Sequence, residues 1–303
     1  MTPPPFPFFV GCGRSGTTLV RALVDGHPDM AVPPESHVVV ALAPGPGQAF
    51  SPGAFADALA ASDRFALWDM DRAAVAAAVD AAGAGTYAEA VRAVFAAWAA
   101  RRGKARYADK TPGYVVHIPA LAALFPEATF VQVVRDGRDV AASFVELGWA
   151  PGPVEAALHW RLRVLRGRRA GRALAEGRYH ELRYEDLVAD PEAALRRLCA
   201  AIDLPFDSAM LDHTGRAAEV VGSTSHPGYH RHLDRPVTAG LRDWRRDLPD
   251  DAVVRIEAAA GDALAQFGYE PAGLRVGARV RAEVAAARVR WELHRVRSRL
   301  RRG

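Results

Sequence analysis

Lysine is nearly missing from this 303-residue chain: Lys104 and Lys110 are the two lysines among 39 basic residues, and every other cation is arginine. A chain that writes arginine almost everywhere marks a retained compact ammonium as a candidate chemical group. Cysteine is equally scarce. Cys12 and Cys199 allow at most one disulfide, which excludes a disulfide scaffold and suits a reducing compartment. No apolar run approaches the roughly 18 uncharged residues of a membrane span, and Met1 to Val10 lacks the basic start of a signal peptide, so a cytoplasmic protein is expected. A mean hydropathy of -0.05, with 50 % apolar and 24 % charged residues, excludes disorder and collagen and describes a globular chain of one large or two small domains.

The net charge of +4 and the isoelectric point near 9.3 raise the question of a nucleic-acid or membrane partner. The charge is unevenly placed. From Pro271 to Gly303 ten arginines face only Glu283 and Glu292, a local +8 that leaves the first 270 residues at -4. A net-acidic body does not grip a duplex, so no nucleic-acid partner is expected. The chain divides into a body, 1–270, and a basic helical extension, 271–303.

Along the body, Phe8 to Val10 reads as a buried strand, Gly11 to Gly16 as a glycine-rich turn, and Thr17 to about Asp25 as a helix. An Ala-rich helical insertion of about 50–103 follows. Ser51-Pro52 reads as a helix start, a helix fits Asp69 to Ala82, and Thr86 with Glu89 has the spacing of a capping box. Helices are then expected at Ile118 to Phe125, Asp139 to Leu147, after Asp190-Pro191, and over Pro249 to Phe267. Strands are expected at Thr129 to Val134 and Tyr179 to Arg183. Strands separated by helices predict an α/β fold with a parallel sheet covered on both faces.

Gly11-Cys12-Gly13-Arg14-Ser15-Gly16-Thr17-Thr18 has P-loop spacing, G-x-x-x-x-G, with threonines where that motif has Lys and Ser/Thr. Consecutive backbone N–H groups turning into a helix N-terminus still form an anion cradle. The missing lysine argues against a nucleoside-triphosphate hydrolase, and Arg14 puts a cation inside the loop instead. A second candidate anion site is Arg135, leaving the carboxyl end of a strand, with Ser143 on the second turn of the next helix. Two such sites suit a ligand with two separated anionic ends.

The run Arg14-Ser15-Gly16-Thr17-Thr18-Leu19 after an apolar strand resembles the 5′-phosphosulfate loop of sulfotransferases that use 3′-phosphoadenosine-5′-phosphosulfate (PAPS), in the branch of the protein-tyrosine and many bacterial sulfotransferases. The resemblance implies a P-loop NTPase-like three-layer fold and a reaction without a metal. Arg135 and Ser143 then resemble the 3′-phosphate motif. Leu182-Arg183-Tyr184-Glu185-Asp186-Leu187 resembles an element whose tyrosine lies near the nucleotide. Ser223, Thr224, Arg235-Pro236-Val237 and Leu241-Arg242-Asp243-Trp244 resemble the stretch that closes over it. Asp243 stands where tyrosine-modifying members have a lysine, with Arg242 and Arg245 as candidate substitutes. The resemblance covers about residues 8 to 270.

Sulfuryl transfer needs a base on the acceptor side and cations at the leaving oxygen, with positioning and electrostatics carrying the catalysis. Glu35, in Pro33-Pro34-Glu35-Ser36, falls where the tyrosine-modifying relatives place their catalytic glutamate; His37 is the rival base, expected on the same side of an extended strand, and His117 a remoter one. Lys110 resembles the family's catalytic lysine, and Arg14 would share its leaving-group role. The expected reaction passes a sulfuryl group from PAPS to an acceptor hydroxyl on a peptide tyrosine, a sugar or a phenolic metabolite. A P-loop small-molecule kinase and a non-catalytic nucleotide-binding or membrane-surface protein are the alternatives. In the extension, Val276, Val280, Val284, Ala287 and Trp291 share one helical face. Val289, Leu293, Val296 and Leu300 share nearly the opposite one, flanked by Arg279, Arg290, Arg295, Arg297 and Arg299. One face should pack on the body and the other meet an anionic membrane surface or a second protomer.

Overall fold

Alternation along two strands sets the architecture. Phe6, Phe8, Val10 and Phe130 point into one apolar core, while Phe9, Val131 and Val133 point into another. A sheet with apolar side chains on both faces must be covered twice, and here it is. The computed structural model describes residues 5–45, 47–212 and 243–300. In chain order it has β1 (Pro7–Gly11), α1 (Thr17–Asp25), β2 (Met30–Ala31), α2 (Val38–Ala41), α3 (Pro52–Ala60), α4 (Arg72–Ala81) and α5 (Tyr87–Ala100). There follow β3 (Arg106–Tyr107), β4 (Asp109–Lys110), α6 (Ile118–Leu124), β5 (Thr129–Val134), α7 (Gly137–Glu146), α8 (Pro153–Gly171) and β6 (Tyr179–Arg183). The remainder is α9 (Tyr184–Ala189), α10 (Pro191–Ala201), α11 (Trp244–Asp247), α12 (Asp250–Gln266) and α13 (Ala278–Leu300).

The central sheet has the order β4-β1-β5-β6, with β1 parallel to both β4 and β5. A second, two-stranded sheet pairs β2 with β3, also in parallel. The fold is the expected α/β arrangement of a parallel sheet flanked by helices. Both expected later strands lie where the residues place them. The capping box at Thr86 and Glu89 opens α5, and Ser51 caps α3 with Pro52 in its first turn.

Other boundaries move for local reasons. The helix expected from Asp69 begins at Arg72, because Asp69 turns left-handed at φ 53° and Asp71 supplies the cap. The helix expected from Asp139 begins at Gly137, because Asp136 accepts a bond from the Arg138 N–H. Helix α8 was not foreseen: its arginine-rich second half hides the stripe of Val154, Ala157, Trp160 and Val164 that it buries.

The chain forms two compact units. The first takes described residues 5–11, 16–133 and 167–212 and contains the central sheet. The second takes 12–15, 134–166 and 243–300, and its core includes Val134, Val140, Trp160, Ile256, Leu264 and Val284. Helix α13 belongs to the second unit, with Val284 and Ala287 buried in that core. Cys12 and Cys199 are free and buried in different cores.

Candidate active site

In the first unit the turn into α1 is made by Gly16, which caps the helix at φ 87°. Among the described residues no side chain caps this helix and no acid lies in its first turn, an arrangement that suits an anion at its positive end. A Cβ on Gly16 would lie 2.2 Å from the Tyr184 ring, so the tyrosine expected near the nucleotide rests on the loop glycine. Thr17 and Thr18 are buried in the first turn.

The same unit holds a carboxylate–ammonium pair. Lys110 lies on β4, registered against Phe9 of β1, one strand over from the start of the loop. Its Nζ donates to Glu35 Oε1 at 2.5 Å, and His37 Nε2 lies 3.0 Å from Glu35 Oε2. Lys110 is 1 % exposed and Glu35 30 %. Burial pushes the Lys110 pKa down, with Glu35 opposing and Arg21 reinforcing the shift. Burial also acts to raise the Glu35 pKa, but the Lys110 charge and the hydrogen bonds from His37 and Lys110 outweigh it and hold the carboxyl well below its usual range.

His37 is not on an extended strand as expected. It adopts a left-handed conformation, φ 52°, and begins the short helix α2. The ring still reaches Glu35, through a turn instead of strand alternation. His117 lies at the start of α6.

Residues beside the pair hold it in place, and these were not anticipated. Ser36 Oγ donates to Asp109 Oδ2 at 2.7 Å and lies 3.1 Å from the Tyr114 hydroxyl, which also accepts from the Val39 N–H. Glu35 precedes Ser36 and Lys110 follows Asp109, so one buried network aligns both segments. The Trp68 indole N–H fixes the Pro34 carbonyl at 3.1 Å. Adjacency to Glu35 and Lys110 was the only sequence signal for Ser36 and Asp109. Burial raises the Asp109 pKa to about 6, against bonds from Ser36 and Thr111 that lower it.

In the second unit, Arg14 is left-handed at φ 67° and its Nε donates to Ser143 Oγ at 3.1 Å. The loop guanidinium therefore meets the hydroxyl of the second predicted motif. Arg135 follows β5, its carbonyl accepts from the Trp160 indole N–H, and its guanidinium lies 3.5 Å from Asp139. The rest of that charge cluster is structural: Arg138, 1 % exposed, bonds Asp136, Glu257 and the Glu270 carbonyl and stacks on Trp244 at 3.7 Å. Trp160 packs so closely on Gly137 that a Cβ there would lie 2.6 Å from the ring. Asp243, at the family's lysine position, caps α11 by accepting from the Arg245 N–H, and Arg245 stacks on Trp244. Ser223, Thr224, Arg235-Pro236-Val237 and Arg242 lie outside the described residues.

Cys12, though in the loop, is buried, and burial pushes its thiol up to about 12 despite Arg163 nearby, away from the thiolate form. Among the described residues, buried Ser15 Oγ has no hydrogen-bond partner. A buried hydroxyl left unpaired in a glycine-rich loop fits a bound anion better than packing.

The profile of the sulfotransferase family matches residues 5–208. The chain is 28 % identical over 293 residues to the nodulation protein NoeE of Sinorhizobium fredii, covering 87 % of this chain and 65 % of that protein. It is also 28 % identical over 278 residues to protein-tyrosine sulfotransferase 1 of Danio rerio, covering 88 % and 73 %. Among solved structures, the sulfotransferase domain of the Synechococcus PCC 7002 olefin synthase superposes with a TM-score of 0.66 at 26 % identity, over 89 % of this chain and 96 % of that one.

Proposed function

Because the chain belongs to the sulfotransferase family, we propose that it transfers a sulfuryl group from PAPS to an acceptor hydroxyl, using Glu35, Lys110 and Arg14. The observation that carries this reading is the buried Lys110 ammonium bonded to Glu35, one strand over from the loop strand. The loop Arg14-Ser15-Gly16-Thr17-Thr18 is assigned to the 5′-phosphosulfate, Arg135 and Ser143 to the 3′-phosphate, and Tyr184, Ser223 and Thr224 to the nucleotide. The 1–270 body is the catalytic domain, acting in a reducing cytoplasm. Absence of the P-loop lysine at Thr17 weighs against a kinase.

In the reaction the acceptor oxygen attacks sulfur, the bond from sulfur to the phosphate oxygen breaks, and the acceptor proton goes to the base. Lys110 donates a hydrogen bond to the departing oxygen. The pair couples these steps: as Lys110 turns toward that oxygen, Glu35 loses the charge that depresses it and becomes a better base. A second reading makes His37 the base and Glu35 its orienting partner, supported by the 3.0 Å contact between them.

Thermal-shift titration separates the hypotheses. Adenosine 3′,5′-bisphosphate should stabilise the protein, and stabilisation by ATP–magnesium alone would overturn the assignment. Glu35→Gln and Lys110→Met should each lower transfer by roughly a hundredfold or more while keeping that stabilisation. Loss of transfer in His37→Asn, with most of it kept in Glu35→Gln, would transfer the base role to the imidazole.

A further inference from the structure

We propose that helix α13 lies on an anionic lipid surface, held to the second unit by one face and meeting phospholipid with the other. The inner face is settled by packing: Val284 and Ala287 are buried, and Val280 and Trp291 pack against the same core. On the opposite face Val289, Leu293 and Val296 are 61 %, 54 % and 51 % exposed, spaced four and three residues apart, so they form one outward stripe.

Arginines flank that stripe. At 3.6 residues per turn, Arg290 and Arg297 fall on one side of it and Arg281 and Arg288 on the other, and all four are exposed. Apolar centre and arginine rims describe a helix lying in a lipid interface, its aliphatic residues among the acyl chains and its guanidinium groups at the phosphates. Beside the stripe is a shallow hollow of about 370 Å³ lined by Ala258, Val276, Arg281, Val284, Ala285 and Arg288, two cations over an apolar floor. That chemistry suits a phospholipid headgroup. Among the described residues no helix is long and apolar enough to cross a membrane, so this helix lies along the surface.

A second copy of the chain fits less well. Each extension carries +8, so self-association would bring arginine rim against arginine rim. Three aliphatic side chains also bury far less than the roughly 1,000 Å² that a stable interface requires. Anionic lipid supplies the opposite charge over an unlimited area.

The test is sedimentation of the full chain with phosphatidylcholine vesicles, with and without phosphatidylserine, together with light scattering of the protein alone. The protein should bind only vesicles containing phosphatidylserine, and added salt should weaken binding. Arg281→Glu and Arg297→Glu should each reduce partitioning about fivefold or more, and Leu293→Asp should abolish it. Circular dichroism and sulfuryl transfer to a soluble acceptor should be unchanged in all three variants. No binding to phosphatidylserine vesicles, or binding indifferent to these substitutions, overturns the proposal. So does a wild-type dimer that Leu293→Asp converts to monomer, because the stripe would then be a subunit contact.

Discussion

Gly16 is doubly constrained: its backbone is left-handed, where a side chain costs about 1–3 kcal/mol, and the Tyr184 ring occupies the space a Cβ would need. Gly16→Ala should therefore destabilise the protein by more than the backbone term alone and abolish stabilisation by adenosine 3′,5′-bisphosphate. In a Tyr184→Ala background the steric part disappears, so urea denaturation should show Gly16→Ala costing only the backbone's share of about 1–3 kcal/mol there. Equal costs in both backgrounds would show that the ring does not press on the loop. The loop glycine is legible from its spacing, whereas its contact with a tyrosine far along the chain is a product of the fold. The two lysines carry the same lesson. Rarity singles out both, yet Lys104 bonds the Asp25 side chain and the Met30 carbonyl and ties α1 to β2, while Lys110 alone faces Glu35.

At the scale of elements, the helical insertion braces the segment that carries Glu35. The Trp68 N–H holds the Pro34 carbonyl, the Trp98 N–H holds the Trp68 carbonyl at 3.1 Å, and the Tyr87 hydroxyl holds the Val39 carbonyl at 2.9 Å. Trp68→Phe keeps most of the apolar volume but strands a buried carbonyl next to Glu35, at a cost of about 1–3 kcal/mol. Its kcat should fall with nucleotide stabilisation intact, whereas Trp98→Phe, one bond further away, should lose similar stability with a smaller effect on kcat. Parallel losses of kcat would reduce Trp68 to a packing residue. The main helices and strands were legible because caps, prolines and apolar periods are local signals. The short α2 and the two-residue strands β2, β3 and β4 were not, because their existence depends on neighbours: β4 forms against β1, and α2 starts from a left-handed histidine.

Across the whole molecule, charge is sorted by depth as well as by sequence. The described arginines of the +8 extension, Arg275, Arg279, Arg281, Arg288, Arg290 and Arg297, are exposed, while the net-acidic body buries Asp109 and Lys110 in the first unit. Asp109 and the Glu35 paired with Lys110 make stability depend on pH in opposite directions. Burial raises Asp109 from 3.8 to about 6, so between those values the folded chain binds a proton that the unfolded chain releases. Its contribution therefore grows as pH falls through about 6 and is complete below the unfolded value. Glu35 runs the other way: Lys110 and His37 hold it below its usual range despite burial, so its contribution is present above the unfolded value of 4.5 and is lost as pH falls toward the depressed one. Asp109→Asn keeps an oxygen to accept from Ser36 and removes the titration. Urea denaturation should show this variant gaining on the wild type by about 3 kcal/mol at neutral pH, a difference that shrinks to about 0.5 kcal/mol as pH falls to about 4. A gap between the two proteins that stays constant across that range would mean that Asp109 is ionised at every pH tested and that its neighbours, not burial, set its charge.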